Sequence, residues 1–435
     1  MYKVYFITFG CKVNQYETEC IKTDFIKKGC ICVDTPSSAD IVIINSCTVT
    51  ASGDSKSLYA LRKMRKTAPD AIIVFTGCLP QSSPDSADKF ADADIVTGTK
   101  QRKNLPLLVE KFLTERKKLI NIEQYGRCDE FEDMICTGYD DHTRAFVKIQ
   151  DGCNQFCSYC IIPYSRGRCR SKSPDTLRKE VKVLADSGYQ EIVLVGINLA
   201  FYGKEYELRL VDAVEECASI DGIKRIRLGS LEPEMISDED LKRLSLIPQF
   251  CPQFHLSLQS GCNRTLKAMN RRYTTDEYYD LVCRIRNIFP DASFTTDIMV
   301  GFPEETDADF EHSLNFAEMV GFAKIHVFQY SPRHGTPAAS MKQINKEVKY
   351  QRADKMKSLD KKLREKYLAS LIGKTVPVLF ERENCTDFQR GYAPDYTLIK
   401  IKQENFKKSL RNMIFYVKIE ESESDCCIGR IIDSL

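Results

Sequence analysis

The stretch Asp151-Gly-Cys153-Asn-Gln-Phe-Cys157-Ser-Tyr-Cys160 carries the most information about the fold and chemistry of this chain. It follows a predicted β-strand over residues 145–150, and its cysteines are spaced C-x3-C-x2-C. Three thiolates in one loop can hold three irons of a [4Fe–4S] cubane and leave the fourth iron open, whereas structural zinc sites and ferredoxin-type clusters use four ligands. The pattern therefore predicts a reactive iron–sulfur site. The alternative is three packing cysteines.

A second set of three cysteines is distributed over the first eighty residues. Strands are predicted over 3–9, 40–45 and 71–76, and each is followed closely by a cysteine, namely Cys11, Cys47 and Cys78. Helical stretches separate these strands, which predicts an N-terminal α/β domain with a parallel sheet. Because the carboxyl ends of parallel strands share one edge, we expect the three thiols to converge and to hold a second open cluster. Buried packing cysteines are again the alternative.

Six more strand–loop–helix units follow from about residue 144. Strands are predicted over 145–150, 191–195, 224–228, 254–258, 294–300 and 324–330. Six units suit an open, partial (β/α) barrel, with functional groups in the loops after the strands. Gly196 and Gly301 in such loops leave room for a small ligand, although turn formation is the commoner role of glycine. Tyr159 could pack on an adenine ring or shield a cluster from solvent.

Composition limits the remaining possibilities. The chain has 435 residues, 19 cysteines and a formal net charge of +2. So many cysteines without the features of a secretory signal favour metal chemistry in a reducing compartment, and we expect a cytoplasmic protein. No apolar run is long enough to span a membrane. The segment from residue 371 has the β-rich pattern of a small β-barrel, but its basic and acidic residues are equal in number.

Two basic runs are candidate phosphate contacts. The first lies shortly after the three-cysteine loop and contains Arg166, Arg168, Arg170 and Lys172. The second, over residues 352–366, is predicted to be an amphipathic helix leading to the last domain. A solvated basic surface is the default interpretation of such runs, but proximity to the predicted site makes the first a candidate for binding nucleic acid.

Taken together, the chain resembles the methylthiotransferases, radical S-adenosylmethionine (SAM) enzymes with an N-terminal cluster domain, a radical SAM domain and a C-terminal TRAM domain. The resemblance implies domains over 1–125, 139–370 and 371–435. It rests on the following stretches: Gly10-Cys-Lys-Val-Asn-Gln-Tyr-Glu17, Asn45-Ser-Cys-Thr-Val-Thr50, Thr76-Gly-Cys78, residues 153–164, His255-Leu-Ser-Leu-Gln-Ser-Gly-Cys262, Met269-Asn-Arg-Arg-Tyr-Thr274 and Gly335-Thr-Pro-Ala-Ala339.

The resemblance also implies cofactors and ligands. Two [4Fe–4S] clusters and SAM are expected. The ligands of the catalytic cluster are expected to be Cys153, Cys157 and Cys160. Those of the second cluster are expected to be Cys11, Cys47 and Cys78. SAM contacts are expected from the loops of the barrel, at Tyr159, Gly196, Asn198, Ser230, Gln259, Arg272 and Gly301. Two residues depart from the family pattern: Glu304 replaces an expected glycine and His334 an expected proline.

Within the family, Gly10–Glu17 is similar to the branch that modifies N6-threonylcarbamoyladenosine (t6A) in tRNA. The isopentenyladenosine branch tends to carry Gly-Cys-Gln-Met-Asn at this place, and the ribosomal-protein aspartate branch Gly-Cys-Pro-Lys-Asn. The resemblance thus implies methylthiolation at C2 of t6A at position 37, beside the anticodon. The alternatives are isopentenyladenosine, a ribosomal-protein aspartate, or an iron–sulfur redox sensor or RNA-binding protein without turnover.

The implied mechanism uses SAM twice. One SAM would be reduced at the Cys153/Cys157/Cys160 cluster to give a radical that abstracts hydrogen from C2 of the adenine. The second cluster would carry sulfur, which another SAM methylates before transfer. The implied partners are the anticodon loop of tRNA and a reductant such as flavodoxin or ferredoxin. The sequence does not indicate a sulfur source, and no membrane partner is expected.

Overall fold

The computed structural model describes residues 1–139, 143–382, 387–402 and 409–434. Its first unit is a six-stranded sheet with the order β2-β1-β3-β4-β5-β6, in which every pair of neighbours is parallel. The strands are β1 Lys3–Thr8, β2 Ile31–Cys32, β3 Ile41–Ser46, β4 Ile72–Gly77, β5 Ile95–Thr97 and β6 Leu119–Asn121. The helices are α1 Lys12–Lys27, α2 Ala51–Thr67, α3 Cys78–Ser82 and α4 Leu105–Glu115.

The register of this sheet brings three strand ends to one level. Thr8 at the end of β1 pairs with Asn45 of β3, and Ser46 pairs with Gly77 at the end of β4. Apolar β-branched residues fill β3 and β4, which are buried along their whole length, as expected for central strands covered on both faces. The residues that follow β1, β3 and β4 therefore emerge side by side at the carboxyl edge.

The central unit is an open row of six strands. One of these strands is divided at Gly229 into two segments, which are numbered separately. The unit forms two parallel sheets with the orders β11-β10-β7 and β12-β13-β14-β15. The strands are β7 Arg144–Lys148, β10 Glu191–Val195, β11 Arg225–Leu228, β12 Ser230–Leu231, β13 Gln253–Leu256, β14 Ser293–Val300 and β15 Lys324–Gln329, and a small antiparallel pair is formed by β8 Gln150–Asp151 and β9 Arg170–Ser171. The helices are α5 Ile162–Arg166, α6 Pro174–Asp186, α7 Leu210–Ala218, α8 Asp238–Ser245, α9 Asn263–Ala268, α10 Thr275–Ile288 and α11 Asp307–Val320.

The third unit is a closed five-stranded barrel, with the order β16-β17-β18-β20-β19, reached through the long helix α12 Lys346–Ala369. Its strands are β16 Thr375–Phe380, β17 Phe388–Tyr392, β18 Leu398–Lys402, β19 Ile414–Ser422 and β20 Cys427–Ser434. Arg225 and Arg227 of β11 donate to backbone carbonyls of this barrel, including those of Pro377 and Ala393. Since such buried guanidinium groups need several acceptors, these bonds fix the barrel on the central unit.

The predicted fold class is confirmed: a parallel α/β unit, a partial barrel and a small closed β-barrel follow one another. The predicted strands lie close to β1, β3, β4 and the six strands of the central unit, whereas the short strands β2, β5 and β6 were not predicted. The predicted helix over 352–366 lies within α12. The domain divisions after residues 125 and 370 stay a prediction. No helix in the part of the chain that the structure describes is long and apolar enough to cross a membrane.

Candidate active site

The three cysteines after β1, β3 and β4 surround the side chain of Asn14, on the first turn of α1. Asn14 Oδ1 lies 3.9 Å from Cys11 Sγ and 4.0 Å from Cys78 Sγ. Cys47 closes the group, because a Cβ placed on Gly10 would lie 3.1 Å from its Sγ. The predicted convergence of these thiols is thus seen in the structure. We call Cys11, Cys47 and Cys78 the distributed triad.

Asn14 also fastens the loops that carry these cysteines. Its Nδ2 donates to the carbonyl of Phe9 at 2.8 Å and to that of Ser46 at 3.0 Å. Asn45 acts similarly one strand away, where its Nδ2 donates to the backbone carbonyl of Asn14 at 3.0 Å. The two asparagines therefore hold the strand ends in register beneath the distributed triad.

A buried guanidinium from the central unit completes this group. Arg166, at the end of α5, donates from its two terminal nitrogens to Asn14 Oδ1 at 2.6 Å and to Glu17 Oε1 at 2.8 Å. Arg166 NH1 also donates to Asp151 Oδ1 at 3.2 Å. Arg166 and Glu17 are fully buried, so this ion pair lies in the interface between the first and central units.

Glu17 is the anionic centre of this interface. Its burial alone would raise the pKa of the carboxyl group, but the surrounding cations Arg102, Arg166 and Lys148 outweigh that effect and hold the pKa at about 2. Lys148 Nζ donates to Glu17 Oε1 at 2.8 Å, and Arg102 NH2 lies 3.0 Å from Oε2. Glu17 is therefore ionised at neutral pH and joins α1 to β7 and α5.

The second group of cysteines lies in the single loop after β8, as predicted, and we call Cys153, Cys157 and Cys160 the local triad. Donors approach its sulfur atoms from the backbone and from the barrel. The Gln155 N–H lies 3.4 Å from Cys153 Sγ, and Arg271 NH1 lies 3.4 Å from Cys157 Sγ. N–H groups aimed at sulfur stabilise thiolate ligands of iron–sulfur clusters and tune their potentials.

Both triads fit a [4Fe–4S] cluster better than a single ion. Among the described residues, no three His, Cys, Asp or Glu side chains converge closely enough to hold one metal ion. A cubane places its thiolates on separate iron corners, so three thiols around a shared space suit it. Burial raises the pKa of the Cys78 thiol to about 11 and also raises the pKa values of Cys47, Cys153 and Cys160. Without metal these four thiols are protonated at neutral pH, and metal binding would displace their protons.

Three of the residues predicted to bind SAM lie near the local triad. Asn198 Nδ2 is 3.8 Å from Cys153 Sγ, while its Oδ1 is buried without a hydrogen-bond partner among the described residues. A buried polar atom of this kind is a candidate ligand contact. Tyr159 is half-buried, with its ring edge-on to Phe302 at 6.5 Å between centroids. Gly196 packs against Gln150, whose Oε1 accepts from the Asn198 N–H at 2.7 Å.

Three further residues predicted to bind SAM, namely Ser230, Gln259 and Gly301, differ from one another in their surroundings. Ser230 is exposed. Gln259 is half-buried, and its backbone N–H donates to the carbonyl of Asp297 in β14 at 2.8 Å. At Gly301 the space that a side chain would need is occupied by Lys349, because a Cβ there would lie 2.4 Å from Lys349 Cγ. Packing therefore explains this glycine without a ligand.

Arg272 stays a predicted SAM contact, while its neighbour Arg271 lies beside the local triad. Arg272 is exposed, whereas Arg271 points inward to Cys157 and forms an ion pair with Glu232. The turn at Asn270, whose φ is 59°, sets which of the two arginines faces the loop. The sequence analysis missed Arg271 and Glu232. The position of Glu232 directly after β12, at the carboxyl edge of the barrel, was the available signal.

The predicted phosphate-binding loop is wrong for three of its four cations. Arg166, Arg170 and Lys172 are buried and paired with carboxylates: Arg170 NH2 lies 3.1 Å from Asp151 Oδ2, and Lys172 forms an ion pair with Glu180. Their partners lie outside the run, on α1, β8 and α6, so the run alone looked like a free basic loop. Only Arg168 of the four is exposed.

One cavity joins the distributed triad to the carboxyl ends of the barrel strands. It has a volume of about 740 Å³ and lies on the open side of the barrel, where α1 and the C-terminal barrel meet the central unit. Cys11 of the distributed triad lines it beside Gly196 and Ser230 at the carboxyl ends of the barrel strands. A bound molecule in this cavity can thus face the distributed triad and the predicted SAM residues together.

A loop of the central unit crosses to the distributed triad. Arg333 NH2 donates to Thr48 Oγ1 at 2.7 Å and to Asp54 Oδ2 at 2.6 Å, and Ser331 Oγ accepts from the Ala51 N–H at 3.2 Å. The loop therefore holds the segment after Cys47. His334, one of the two departures from the family pattern, follows Arg333 and is exposed.

Comparisons with known proteins agree with this arrangement. Residues 147–317 match the family model of the radical SAM superfamily, and residues 3–98 match the uncharacterized protein family UPF0004. A threonylcarbamoyladenosine tRNA methylthiotransferase of Aquifex aeolicus is 36% identical over 93% of this chain and 98% of its own length. That of Bacillus subtilis is 35% identical, covering 92% and 91%. A tRNA-2-methylthio-N(6)-dimethylallyladenosine synthase of Finegoldia magna is 32% identical, covering 98% and 94%.

Solved structures support the same fold. The radical SAM methyltransferase TsrM of Kitasatospora setae, bound to tryptophan and a SAM analogue, superposes with a TM-score of 0.57 at 14% identity, covering 78% of this chain and 75% of TsrM. At that level of identity the likeness concerns architecture alone.

Proposed function

The chain belongs to the radical SAM tRNA methylthiotransferases, enzymes that use SAM and [4Fe–4S] clusters, and we propose that its substrate is t6A at position 37 of tRNA. The product would be 2-methylthio-N6-threonylcarbamoyladenosine, formed in two SAM-dependent steps with one cluster on each triad. The cavity lined by Cys11 and by the predicted SAM residues Gly196 and Ser230 is the observation that supports this proposal, since a base inside it can face both.

The chain's own residues would position the reactants. SAM with an iron–sulfur cluster supplies radical chemistry, which the strong C–H bond of an adenine ring requires. Asn198, with its unpartnered Oδ1, and Ser230, at the wall of the cavity, would hold the polar groups of SAM. Arg271 would keep the local triad in place through its contact with Cys157. A cavity of about 740 Å³ is in the size range of nucleoside-binding sites.

The position of the proposed base in tRNA suits binding inside a cavity. A base beside the anticodon lies in a single-stranded loop, so turning it into a pocket costs less free energy than flipping a base out of a duplex. Exposed cations around the site would hold the phosphates of the loop. These are Arg168 and, on α12, Lys355, Lys357, Lys361, Lys362 and Lys366. A cytoplasmic location and a flavodoxin or ferredoxin as reductant accompany this proposal.

Mass spectrometry of tRNA nucleosides tests the proposal. A strain that lacks the gene should lose 2-methylthio-t6A and accumulate t6A, and restoring the gene should reverse both changes. The Cys47→Ala variant provides the matched control, because it should leave t6A unmodified. A change in 2-methylthio-isopentenyladenosine alone would refute the t6A proposal in favour of the other tRNA branch. No change in any nucleoside would direct the search to proteins.

A further inference from the structure

Lys12, directly after Cys11, places its ammonium group in the cavity beside the distributed triad. The residue is exposed and lines that cavity. Its Nζ lies 5.4 Å from the ring centroid of Tyr396 and 6.0 Å from that of Phe146. Within the described ranges, no carboxylate lies within 4 Å of Lys12 Nζ, although lysines elsewhere on α1 have acidic neighbours.

The other cations around the Tyr396 ring are already neutralised. The guanidinium carbons of Arg227 and Arg144 lie 4.2 Å and 5.0 Å from its centroid. Arg227 donates to Glu191 at 2.7 Å, and Arg144 donates to Glu381 at 2.6 Å. The ammonium at the mouth of the cavity therefore has the ring as its partner but no counter-charge.

Two of the three acidic residues of the cavity wall have side-chain partners. Asp297 Oδ2 lies 3.4 Å from His255 Nε2, and the Asp395 carboxylate accepts hydrogen bonds from two hydroxyl groups. Asp425 lies beside Arg364, which donates to its backbone carbonyl. Lys12, Lys324 and Arg364 line the cavity, and among the described residues no carboxylate lies within 4 Å of their side-chain nitrogens. Of these three cations Lys12 stands directly beside Cys11, which favours a ligand with a negative group on that side.

We propose that Lys12 binds the carboxylate of the N6 substituent of the substrate adenosine and so selects an anionic substituent over an apolar one. This inference rests on the proposed function. With C2 of the base turned toward Cys11, the N6 substituent would lie along the cavity wall, which Lys12 also lines. The threonyl group of t6A has a carboxylate, whereas a dimethylallyl group has no charge.

The test compares two anticodon stem-loops on the full-length, cluster-loaded protein. One carries t6A and the other its threonine amide, in which the carboxylate is neutral. Lys12→Gln should raise the Kd for the t6A stem-loop about tenfold and leave the Kd for the amide nearly unchanged, because only the first loses an ion pair. Lys12→Arg should retain most of the affinity. Lys27→Gln, at the exposed end of the same helix, is the matched control and should change neither Kd.

The outcomes separate this inference from the proposed function. If wild-type protein methylthiolates the t6A stem-loop but Lys12→Gln weakens both ligands equally, or neither, the role of Lys12 is refuted and the function stands. If wild-type protein methylthiolates a dimethylallyl stem-loop and not t6A, both are refuted. The visible absorption of the clusters must be equal in all variants, so that a lost cluster is not mistaken for a lost contact.

Discussion

The two triads each bring three thiols together, but they do so in opposite ways. The local triad lies in one loop, and its spacing along the chain nearly suffices to form it. The distributed triad exists only when the register of three strands is correct and when Arg166 from the central unit has docked against Asn14. Arg166 follows the local triad closely in sequence, so the segment that carries one cluster site also supports the other. The comparison suggests that the first site depends on a loop and the second on the interface between two units.

The largest effects are expected when one cysteine of either triad is replaced, because the two triads are proposed to serve different reactions. Cys157→Ala should abolish SAM cleavage, lowering 5′-deoxyadenosine formation at least a hundredfold, because an incomplete local triad cannot hold its cluster. Cys47→Ala should keep most of that cleavage and lose methylthiolation. The measurement is liquid chromatography of 5′-deoxyadenosine under strong reductant, together with nucleoside analysis of the tRNA.

Cys169→Ala is the matched control for these variants. Cys169 lies near the local triad without belonging to it, and its Sγ contacts the Gly152 carbonyl at 3.7 Å. It should support both reactions. If Cys47→Ala loses SAM cleavage as completely as Cys157→Ala, the two triads do not divide the chemistry.

The sequence predicted the local triad from its spacing and the distributed triad from strand ends. Cysteine spacing and strand ends can each be recognised in a short stretch of sequence. It could not predict the buried cations. Arg166, Arg170 and Lys172 form a basic run whose counter-ions come from α1, β8 and α6, and nothing within the run indicates those partners. The sequence analysis named Arg272 and not Arg271 for a related reason, since nothing in the local sequence shows which of two adjacent arginines lies beside Cys157.

The second prediction tests the interface itself. Arg166→Met should lower the free energy of unfolding by about 3 kcal/mol, because it leaves the buried Glu17 and Asp151 with fewer cations. Iron should be lost preferentially from the distributed triad. Anaerobic urea unfolding and iron analysis measure both effects. Arg178→Met, which removes an exposed pair with Glu216, should change the free energy of unfolding much less, because solvent screens that pair. A similar small effect of Arg166→Met would show that the interface does not support the triad.

The third prediction uses a glycine directly before one cysteine of each triad. Gly77 has φ 104°, and a Cβ there would lie 2.5 Å from the Ser46 carbonyl oxygen; Gly152 has φ 72°, and its Cβ would lie 1.9 Å from the Arg168 carbonyl oxygen. Alanine at either position should destabilise the protein by about 2–3 kcal/mol. Gly77→Ala should release iron from the distributed triad and Gly152→Ala from the local one.

Gly188→Ala controls for backbone conformation alone. Gly188 has φ 90°, but a Cβ there would meet no atom within 4 Å. Its substitution should cost about 1 kcal/mol and leave both clusters intact. Spectroscopy of the iron–sulfur clusters in each variant assigns the loss. If both triad glycines release the same cluster, the two sites are not independent structures.

The smallest expected effect concerns Glu304, in the loop after β14. The family pattern places glycine here, and the structure gives Glu304 a φ of 62° with an exposed side chain. A left-handed backbone costs a non-glycine residue about 1 kcal/mol or more, and glycine relieves that cost at the expense of added freedom in the unfolded chain. Glu304→Gly should therefore raise the free energy of unfolding by about 0.5 kcal/mol, measured by urea unfolding.

Glu304→Ala distinguishes backbone strain from loss of the side chain. Alanine removes the carboxylate but keeps the cost of the left-handed conformation, so it should not stabilise the protein. An equal gain from alanine and glycine would assign the effect to charge instead. Because Glu304 belongs to the central unit and its side chain is exposed, neither substitution should change the iron content of the distributed triad. A loss of iron there would mean that this loop, like α5, supports both sites, and the contrast between a loop-dependent and an interface-dependent triad would weaken.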